Sequence, residues 1–292
     1  MTYDLMLIGP ATRDVNIDYT GQEVHEIGGA VYFCAYAAKA GGANVYASVK
    51  INAEDRDILD AFEFDADHIA LLPSPHTTLM RNTYFTADRE RRRAECLAQS
   101  APITPDQIPD VDCGLYHLAG LLYGDFPNEL IEALSKKGKV SADIQGFLRH
   151  NESGTMNFHD WAYKKDYLHY FDFLKTDAAE AEILTGTDDR RAAAKMLYDW
   201  GAKEILISHN SEMLVFDGET YYTCPVKARN LSGRTGRGDT TFGAYLAKRM
   251  TGADIGEALE FATAAVSLKM ETPGPLRGGE ADVQAYINEF YH

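Results

Sequence analysis

The residues best suited to chemistry in this chain are two glycines and an aspartate that stand just before an apolar helical pattern. The octapeptide from Thr235 to Phe242 reads TGRGDTTF, and the residues after it place apolar side chains at helical spacing. Glycines let the backbone approach a ligand closely, so the amides around Gly236 and Gly238 can point at one anion. The positive end of the following helix assists them. A phosphate suits such a loop.

Asp239 follows these glycines, where a carboxylate is repelled by a bound phosphate unless it accepts a proton from a hydroxyl that attacks the phosphate. Such an acid is a general base for phosphoryl transfer, a reaction that depends mainly on positioning and charge stabilisation. The helix terminus should keep Asp239 ionised and its basicity modest. The alternative is that Asp239 is the N-cap of a helix after a glycine turn, and the octapeptide alone favours neither interpretation.

The composition describes an acidic protein that is long enough to bury a large core. A chain of 292 residues with 45% hydrophobic content suits one extended α/β domain. Its 28 basic and 44 acidic residues give a net charge of −16, which argues against nucleic-acid and membrane partners. The four cysteines form no C-x-x-C pair and the first residues show no signal-peptide pattern, so we expect a reduced, cytoplasmic protein.

Strands and helices alternate along the chain. Short apolar runs predict strands at 5–8, 45–49, 69–72, 115–118, 140–144, 171–174 and 205–208. Helical patterns occupy 30–40, 127–135, 178–184, 190–200 and 253–270, with a further helix after Asp239. This order predicts a mostly parallel sheet covered by helices on both faces, with functional residues at the carboxyl ends of its strands.

Two segments, 16–27 and 77–98, interrupt this alternation of strands and helices. Their polar and apolar residues alternate, as in RNTYFT from Arg81 to Thr86, which predicts antiparallel strands that stand off the main sheet. A turn is expected at Ala87-Asp88-Arg89, next to the basic run 89–93. We interpret the two segments as a lid, and the alternative is a solvated extension of the sheet edge.

Several segments, in their order and spacing, resemble the ribokinase or PfkB family of small-molecule kinases. They are Gly9 to Asp14, Ile27 to Gly41 with its Gly-Gly step into a helix, Lys175 to Gly186 with an acidic version of the Asn-x-x-Glu motif, and Thr235 to Asp239. The resemblance implies one ribokinase-like α/β domain over 1–292: a three-layer sandwich with a mostly parallel central sheet and a small β lid. Lid strands often pair between subunits in that family, so a homodimer through the lid is expected.

The resemblance also implies a role for each candidate site residue. Asp239 is the catalytic base, and Gly236, Arg237 and Gly238 form the anion-binding loop beside it. We expect the substrate to contact Asp14, Gly28, Gly29, Arg81, Asp143 and Arg149. We expect ATP to contact Asp177, Ser208, Asn210, Thr235 and Gly274, with Mg²⁺ near Glu180. Asp14 has an alternative as an Asx-turn acid, and an internal salt bridge would explain Asp143 and Arg149 equally well.

The chain departs from the family pattern at several of these positions. Gly233 replaces the aspartate that usually opens the second motif, which puts a monovalent-cation site in doubt. Arg234 and Arg237 replace a threonine and an alanine, and both can add positive charge near the phosphates. In the Asn-x-x-Glu motif, Asp177 replaces the asparagine; together with Glu180 it can hold water around Mg²⁺ or cap a helix.

The resemblance predicts transfer of the ATP γ-phosphoryl group to a hydroxyl of a sugar or polyol, with the lid excluding water. Within the family, the segments look most like a divergent carbohydrate or inositol-type branch. A nucleoside kinase is the nearest alternative, and Tyr32, Phe33 and Tyr84 are available for its base. The other alternative is a non-catalytic relative that binds a ligand. The presence of Asp239 together with its two neighbouring glycines argues for catalysis instead. Phe33 also replaces a frequent asparagine, so substrate identity cannot be transferred from the family.

Overall fold

The computed structural model describes residues 2–86 and 91–292, which form fifteen strands and ten α-helices. The strands are β1 (Tyr3–Pro10), β2 (Thr12–Ile17), β3 (Glu23–Gly28), β4 (Val45–Ile51), β5 (Ile69–Pro73), β6 (Thr78–Tyr84), β7 (Arg92–Ala98), β8 (Cys113–Leu118), β9 (Lys139–Asp143), β10 (Arg149–Glu152), β11 (Thr155–Phe158), β12 (Phe173–Asp177), β13 (Glu204–Ser208), β14 (Glu212–Phe216) and β15 (Tyr221–Pro225). The helices are α1 (Ala30–Ala40), α2 (Asp57–Asp60), α3 (Asn128–Ser135), α4 (Gln145–Leu148), α5 (Lys164–Tyr167), α6 (Ala178–Thr185), α7 (Arg190–Asp199), α8 (Arg237–Met250), α9 (Ile255–Lys269) and α10 (Glu280–Phe290). No helix in these two ranges is both long enough and apolar enough to cross a bilayer.

The central sheet contains nine strands in the order β15-β14-β13-β12-β9-β8-β1-β4-β5. Neighbouring strands from β13 to β5 pair in parallel, and β14 and β15 add an antiparallel edge. Each of the seven predicted strands is present in the parallel part. The sequence patterns missed β14, β15 and α10, but the predicted mostly parallel sheet is confirmed.

Both faces of the central sheet are buried, and β1 shows how alternate residues serve the two faces. Leu5 and Leu7 pack into a core that includes residues of α1, α8, α9 and α10. Met6 and Ile8 pack into a second core with residues of α3, α6 and α7. Successive side chains of a strand point to opposite faces, so one strand supports both cores. The predicted three-layer sandwich is confirmed.

A second sheet contains six strands in the order β10-β11-β7-β6-β2-β3. Strands β3, β6 and β7 come from the predicted lid segments, whereas β2 begins at Thr12 and overlaps the first segment only in its last two residues. Strands β10 and β11 form a hairpin that the sequence patterns did not predict. Its turn residues Ser153 and Gly154 both have positive φ, at 53° and 93°, as a type I′ hairpin turn requires. The turn predicted at 87–89 lies outside the described residues.

Close packing of α1 against α8 places two of the predicted motifs side by side. Gly243 of α8 faces α1, where an added Cβ would lie 2.7 Å from the carbonyl oxygen of Cys34. A larger residue would therefore push the helices apart. Because α1 follows Gly28-Gly29 and α8 follows Gly236, this contact brings both glycine steps to one end of the sandwich.

Candidate active site

A cavity of about 760 Å³ lies between the carboxyl ends of the parallel strands and the second sheet. The carboxyl ends of β12 and β13, the start of α1 and several strands of the second sheet line it. The segment 232–239, which we call the anion loop, forms one end of the cavity. The volume is typical of small-molecule sites, and the position matches the expectation for a parallel α/β sheet.

Gly236 and Gly238 of the anion loop each leave room for a side chain that packs against the loop. Gly236 is the N-cap of α8 and has φ of 77°, and an added Cβ would lie 2.3 Å from the ring of Phe33. An added Cβ on Gly238 would lie 2.8 Å from Nζ of Lys175. The interpretation of Asp239 as the helix N-cap is wrong, because Gly236 holds that position and Asp239 lies in the first turn.

Asp239 lines the cavity at the point where the anion loop enters α8. Burial, reinforced by the nearby carboxylate of Asp143, raises the pKa of Asp239 to about 6, although Lys175 and Arg149 oppose the rise. The basicity that the sequence predicted for Asp239 was therefore too low. The sequence shows the helix terminus, which keeps the acid ionised, but it does not show the burial, which raises the pKa. An acid with this pKa is ionised at neutral pH and is a stronger base than an exposed aspartate.

A buried ion pair lies directly behind the anion loop. Nζ of Lys175 donates to Oδ2 of Asp143 at 2.8 Å, with 5% and 3% of the two side chains exposed. Burial alone would lower the pKa of Lys175, but the carboxylates of Asp143 and Glu180 outweigh it and hold the pKa above its ordinary value. Lys175 lines the cavity and Asp143 does not. Asp143 therefore positions Lys175, and the direct substrate contact predicted for Asp143 is not supported by the geometry.

Arg149 extends into the cavity from the start of β10. The alternative of an internal salt bridge to Asp143 is wrong, because Asp143 pairs with Lys175. Nε of Arg149 is buried, and it has no hydrogen-bond partner within the described residues. Burial and the nearby Arg92 lower the pKa of Arg149, but a guanidinium remains charged. A buried guanidinium atom that lacks a protein partner is well suited to bind an anion from solution.

The second sheet contributes carboxylate and amide groups at the opposite end of the cavity. Asp14 accepts a hydrogen bond from Oγ1 of Thr12 at 2.6 Å, and burial raises the pKa of Asp14 to about 6. Asn16 donates to Oε2 of Glu26 at 2.6 Å and accepts from Nδ2 of Asn82 at 3.0 Å. Asp14, Glu26 and Asn82 line the cavity. These groups can accept and donate hydrogen bonds to several hydroxyls of one ligand.

The two glycines before α1 act on this end in different ways. An added Cβ on Gly28 would lie 2.5 Å from Oδ2 of Asp14, so Gly28 leaves room for the carboxylate and does not itself line the cavity. Gly29 lines the cavity and has φ of 97°, which excludes most other residues. Asp14 lies within β2, so the Asx-turn interpretation is wrong.

Arg81 is the predicted substrate residue that the register of β6 turns away from the cavity. Met80, Asn82 and Tyr84 line the cavity, whereas Arg81 does not. Successive residues of a strand point to opposite faces, so Arg81 belongs to the other face of the second sheet. The sequence pattern identified the correct strand and the wrong one of its two faces.

Asp177 and Glu180 form a capping box at the start of α6. Glu180 N donates to Oδ1 of Asp177 at 2.8 Å, and Asp177 N donates to Oε2 of Glu180 at 2.9 Å. Burial, with a contribution from Asp177, raises the pKa of Glu180 to about 8 against the influence of Lys175. Asp177 lines the cavity and Glu180 does not. The capping alternative is therefore present, and only Asp177 can meet a cavity ligand directly.

The remaining predicted residues surround the anion loop. Ser208, Thr235 and Gly274 line the cavity. Asn210 is exposed and does not line the cavity, and it accepts a hydrogen bond from Nη1 of Arg237. The cavity lining includes eight basic and four acidic side chains, in a chain whose net charge is −16. The basic ones are Arg13, Arg92, Arg149, Lys175, Arg234, Arg237, Lys269 and Arg277, and the acidic ones are Asp14, Glu26, Asp177 and Asp239. The local excess of positive charge fits a polyanionic ligand.

Sequence comparison supplies the family and one curated relative. The model of the pfkB family of carbohydrate kinases matches residues 82–280. A cytidine kinase from Thermococcus kodakarensis is 26% identical over 276 residues, covering 88% of this chain and 92% of the relative.

Solved structures of similar proteins agree with this result. A pyrophosphate-dependent kinase of the ribokinase family, in complex with a pyrophosphate analogue and myo-inositol, has a TM-score of 0.87 and 35% identity, covering 96% of this chain and 99% of its own. A pyrophosphate-dependent myo-inositol-1 kinase converted into a myo-inositol-3 kinase has a TM-score of 0.86 and 33% identity, with coverage of 99% and 100%. The Arabidopsis thaliana ribokinase with ribose and ATP has 16% identity over 98% and 99% of the two chains and a TM-score of 0.76, and shows the fold alone.

The two kinds of comparison and the geometry of the cavity therefore lead to one conclusion. This chain belongs to the pfkB family of carbohydrate kinases and is a small-molecule kinase, a phosphotransferase that acts on a hydroxyl group.

Proposed function

We propose that this protein transfers a phosphoryl group from pyrophosphate to a hydroxyl of a cyclic polyol of the myo-inositol class. The observation that carries the proposal is that one cavity is lined by groups suited to an anion and by groups suited to hydroxyls. The anion loop, Lys175 and Arg149 lie at one end, which we call the donor end. Asp14 and the Glu26–Asn16–Asn82 hydrogen bonds lie at the other, which we call the acceptor end.

The side chains at the donor end favour pyrophosphate over ATP as the phosphate donor. Among the described residues that line it in 232–239, 273–275 and the ends of β12 and β13, the only apolar side chains are those of Pro273 and Pro275. A nucleotide base needs apolar faces to stack on, whereas pyrophosphate needs only charge and hydrogen bonds. The kinases described above that are 33–35% identical to this chain are pyrophosphate-dependent. ATP, which the family resemblance predicted, is the second candidate donor.

The groups at the acceptor end favour a polyol. Asp14, Glu26 and Asn82 present carboxylate and amide groups from three adjacent strands, which match a ring that carries several hydroxyls. A nucleoside is the second candidate acceptor, because Tyr32, Phe33 and Tyr84 line the cavity and one curated relative is a cytidine kinase. The ring of Phe33 already packs against the anion loop, which leaves it less available for a base.

The proposed reaction begins when Asp239 accepts the proton of the acceptor hydroxyl. The hydroxyl oxygen forms a bond to the terminal phosphorus, and the bond from that phosphorus to the bridging oxygen breaks, so the remaining phosphate leaves. The amides of Gly236 to Gly238 hold the charge that develops on the transferred group. Lys175 and Arg149 are placed to stabilise it further. Closure of the second sheet would keep water, a competing acceptor, out of the cavity.

Mg²⁺ is part of this proposal, and Asp177 is the residue that fits it best. Within 2–86 and 91–292, no group of three or more His, Cys, Asp or Glu side chains could hold a metal ion. Mg²⁺ commonly keeps several waters and binds through one or two carboxylates plus substrate phosphates. Asp177 lines the cavity, and its Oδ1 is occupied by the capping box while Oδ2 remains available. When bound, the ion would neutralise charge on the donor.

We also propose a cytoplasmic homodimer that forms through the second sheet. Several large apolar side chains on this sheet or its connections are exposed: Tyr19, Val24, Phe85, Leu97 and Phe158. Exposed apolar patches commonly mark protein interfaces. Leu97→Glu should shift the dimer to a monomer in analytical ultracentrifugation. A monomeric wild type at micromolar concentration would contradict the proposal.

A matrix of donors and acceptors tests the function directly. Purified protein with Mg²⁺ is incubated with pyrophosphate or ATP, each against inositols, ribose, fructose, cytidine and adenosine, and products are identified by ³¹P NMR. We expect the highest kcat/KM for pyrophosphate with myo-inositol. A preference for ATP would replace the proposed donor, and a preference for cytidine would replace the acceptor. Ligand binding without product in every combination would favour a non-catalytic relative.

A further inference from the structure

Lys269, the last residue of α9, places a buried ammonium group against the anion loop. Only 1% of the residue is exposed. Its Nζ donates to the carbonyl oxygen of Gly233 at 2.5 Å and to that of Thr235. The ring of Phe33 lies on another side, with Nζ 5.3 Å from the ring centroid. None of the ion pairs formed by the described residues includes Lys269, so loop carbonyls and an aromatic ring surround this charge.

The backbone around Lys269 is built for this contact. Gly233 N donates to the carbonyl oxygen of Met270 at 2.7 Å, which ties the anion loop to the end of α9. An added Cβ on Gly233 would lie 1.8 Å from the carbonyl oxygen of Thr272, so only glycine permits this approach. The same approach turns the carbonyl groups of Gly233 and Thr235 toward one point, where their negative ends repel each other unless a cation lies between them.

An ammonium group satisfies these surroundings well. It has three hydrogen-bond donors, of which the carbonyls of Gly233 and Thr235 occupy two, and the face of Phe33 is attractive to a cation. Burial lowers the pKa of Lys269 to about 8, while Asp239 and Glu26 oppose that change. Lys269 is therefore mostly protonated at neutral pH and retains its charge inside the protein.

We infer that Lys269 is a tethered cation that holds the anion loop in its anion-binding shape, so that phosphoryl transfer needs no free monovalent cation. Lys269 is a positioning residue in this inference, because it acts through the carbonyl groups of Gly233 and Thr235. A free ion such as K⁺ or NH₄⁺, which is close to the lysine ammonium in size and charge, should enter the same cluster of carbonyls when the side chain is shortened or neutralised. The inference depends on the proposed phosphoryl transfer only for its activity measurement.

The test compares wild type with Lys269→Met in buffers whose only monovalent cation is tetramethylammonium, which is too large for the site. Wild-type kcat should change less than about twofold on addition of K⁺, NH₄⁺ or Rb⁺. Lys269→Met should lose activity by about 5–150-fold, the usual range for coupling between two sites, and K⁺ or NH₄⁺ should restore it. Lys195→Met, which removes an exposed charge on α7, is the matched control and should behave like wild type.

A binding measurement separates this inference from the proposed function. Calorimetric titration with pyrophosphate should show the same dependence on K⁺ in Lys269→Met and none in wild type. Crystals of the variant grown in Rb⁺ should give an anomalous peak beside the carbonyl oxygens of Gly233 and Thr235. If no donor supports turnover but these two results hold, the proposed function fails and the tethered cation stands.

Three results would overturn the inference. The first is a wild type whose activity or pyrophosphate affinity requires K⁺. The second is a Lys269→Met variant that stays fully active in tetramethylammonium. The third is a folded variant that no cation restores, since Lys269 would then act on the donor itself. Lys269→Gln keeps N–H donors without the charge and replaces Lys269→Met if that variant does not fold. Should neither variant fold, the response of wild type to K⁺ decides the question.

Discussion

The two ends of the cavity differ in charge and in the structure that supports them. The donor end consists of backbone amides at the start of α8 together with Lys175 of β12, all on the central sandwich, and Arg149 of β10. The acceptor end consists of Asp14, Glu26 and Asn82, which belong to the second sheet. The first end is suited to an anion and the second to hydroxyl groups.

This difference explains how one cavity can keep two ligands in their places. Carboxylates at the acceptor end repel a phosphate, and the basic donor end offers few acceptors to a neutral polyol. Repulsion of the wrong ligand contributes to specificity as much as attraction of the right one. Two acids of the described residues lie within the donor end: Asp177, which we propose holds Mg²⁺, and Asp239. For Asp239 a different role is needed. Its position fits a group that serves the reaction between the two ligands.

The largest effect should come from Asp239→Asn, which keeps the shape of the side chain and removes its basicity. We expect kcat to fall about a thousandfold, within the usual contribution of a general base. Pyrophosphate affinity should stay equal or increase, because a negative charge leaves the donor end. Stopped assays and calorimetric titration measure the two quantities. Exposed Asp188→Asn is the control, and equal kcat in the two variants would refute the assigned base.

Arg149→Met should weaken the donor end selectively. The substitution removes a buried guanidinium whose Nε has no partner within the described residues, so it leaves no protein acid unpaired. We expect kcat/KM for the donor to fall about a hundredfold, as for the loss of one charge-stabilising group, with little change in the KM of the acceptor. Arg149→Lys should recover only part of the loss, because an ammonium cannot bind two oxygens in a plane.

The opposite selectivity would contradict the division of the cavity. If Arg149→Met raised the KM of the acceptor and left the donor unaffected, Arg149 would belong to the acceptor end. The donor end would then rely on the anion loop and Lys175 alone.

Asp14→Asn should weaken the acceptor end. A hydrogen bond to a charged group contributes about 1.5–3 kcal/mol, so we expect the KM of the acceptor to rise about 10- to 100-fold, with pyrophosphate affinity unchanged. Initial rates at varied polyol concentration measure the change. Asp188→Asn again provides the control for loss of one carboxylate. An unchanged KM would show that the acceptor binds away from β2.

The range of the contacts separates what the sequence could predict from what it could not. The anion loop and Asp239 were predictable because adjacent residues create the feature: two glycines, an acid and a helix. Helix α1 was predicted with its observed bounds, Ala30–Ala40, since glycine pairs flank it. Arg81 shows where prediction fails on the second sheet. Neighbouring residues of a strand face opposite sides of the sheet, so an error of one position assigns a side chain to the cavity when it points away from it.

Lys175 and Lys269 escaped prediction because long-range contacts create their roles. Lys175 pairs with Asp143 across 32 positions, and Lys269 meets carbonyl groups 34 and 36 positions earlier. From sequence, Lys269 is an ordinary basic residue in the last turn of a helix, where a cation is favourable in any case. The only local signal was Gly233, whose replacement of a usual aspartate indicated that the charge balance of the loop had changed.

The smallest effect should come from Glu26→Gln, which tests whether the two acids of the acceptor end influence each other. Burial raises the pKa of Asp14 to about 6, and the negative charge of Glu26 adds to that rise. Removal of the charge should therefore lower the pKa of Asp14, so the KM of the acceptor would begin to rise at a lower pH than in wild type. The amide oxygen that the substitution introduces can still accept the hydrogen bond from Asn16, which keeps β2 and β3 together.

Initial rates between pH 5 and 8 would reveal a shift of less than about one unit in the pKa of Asp14, the scale of one partly screened charge. Glu23→Gln removes an exposed acid from the same strand and should leave the profile unchanged. A profile that moved to higher pH in Glu26→Gln would contradict the proposed influence of Glu26 on the pKa of Asp14.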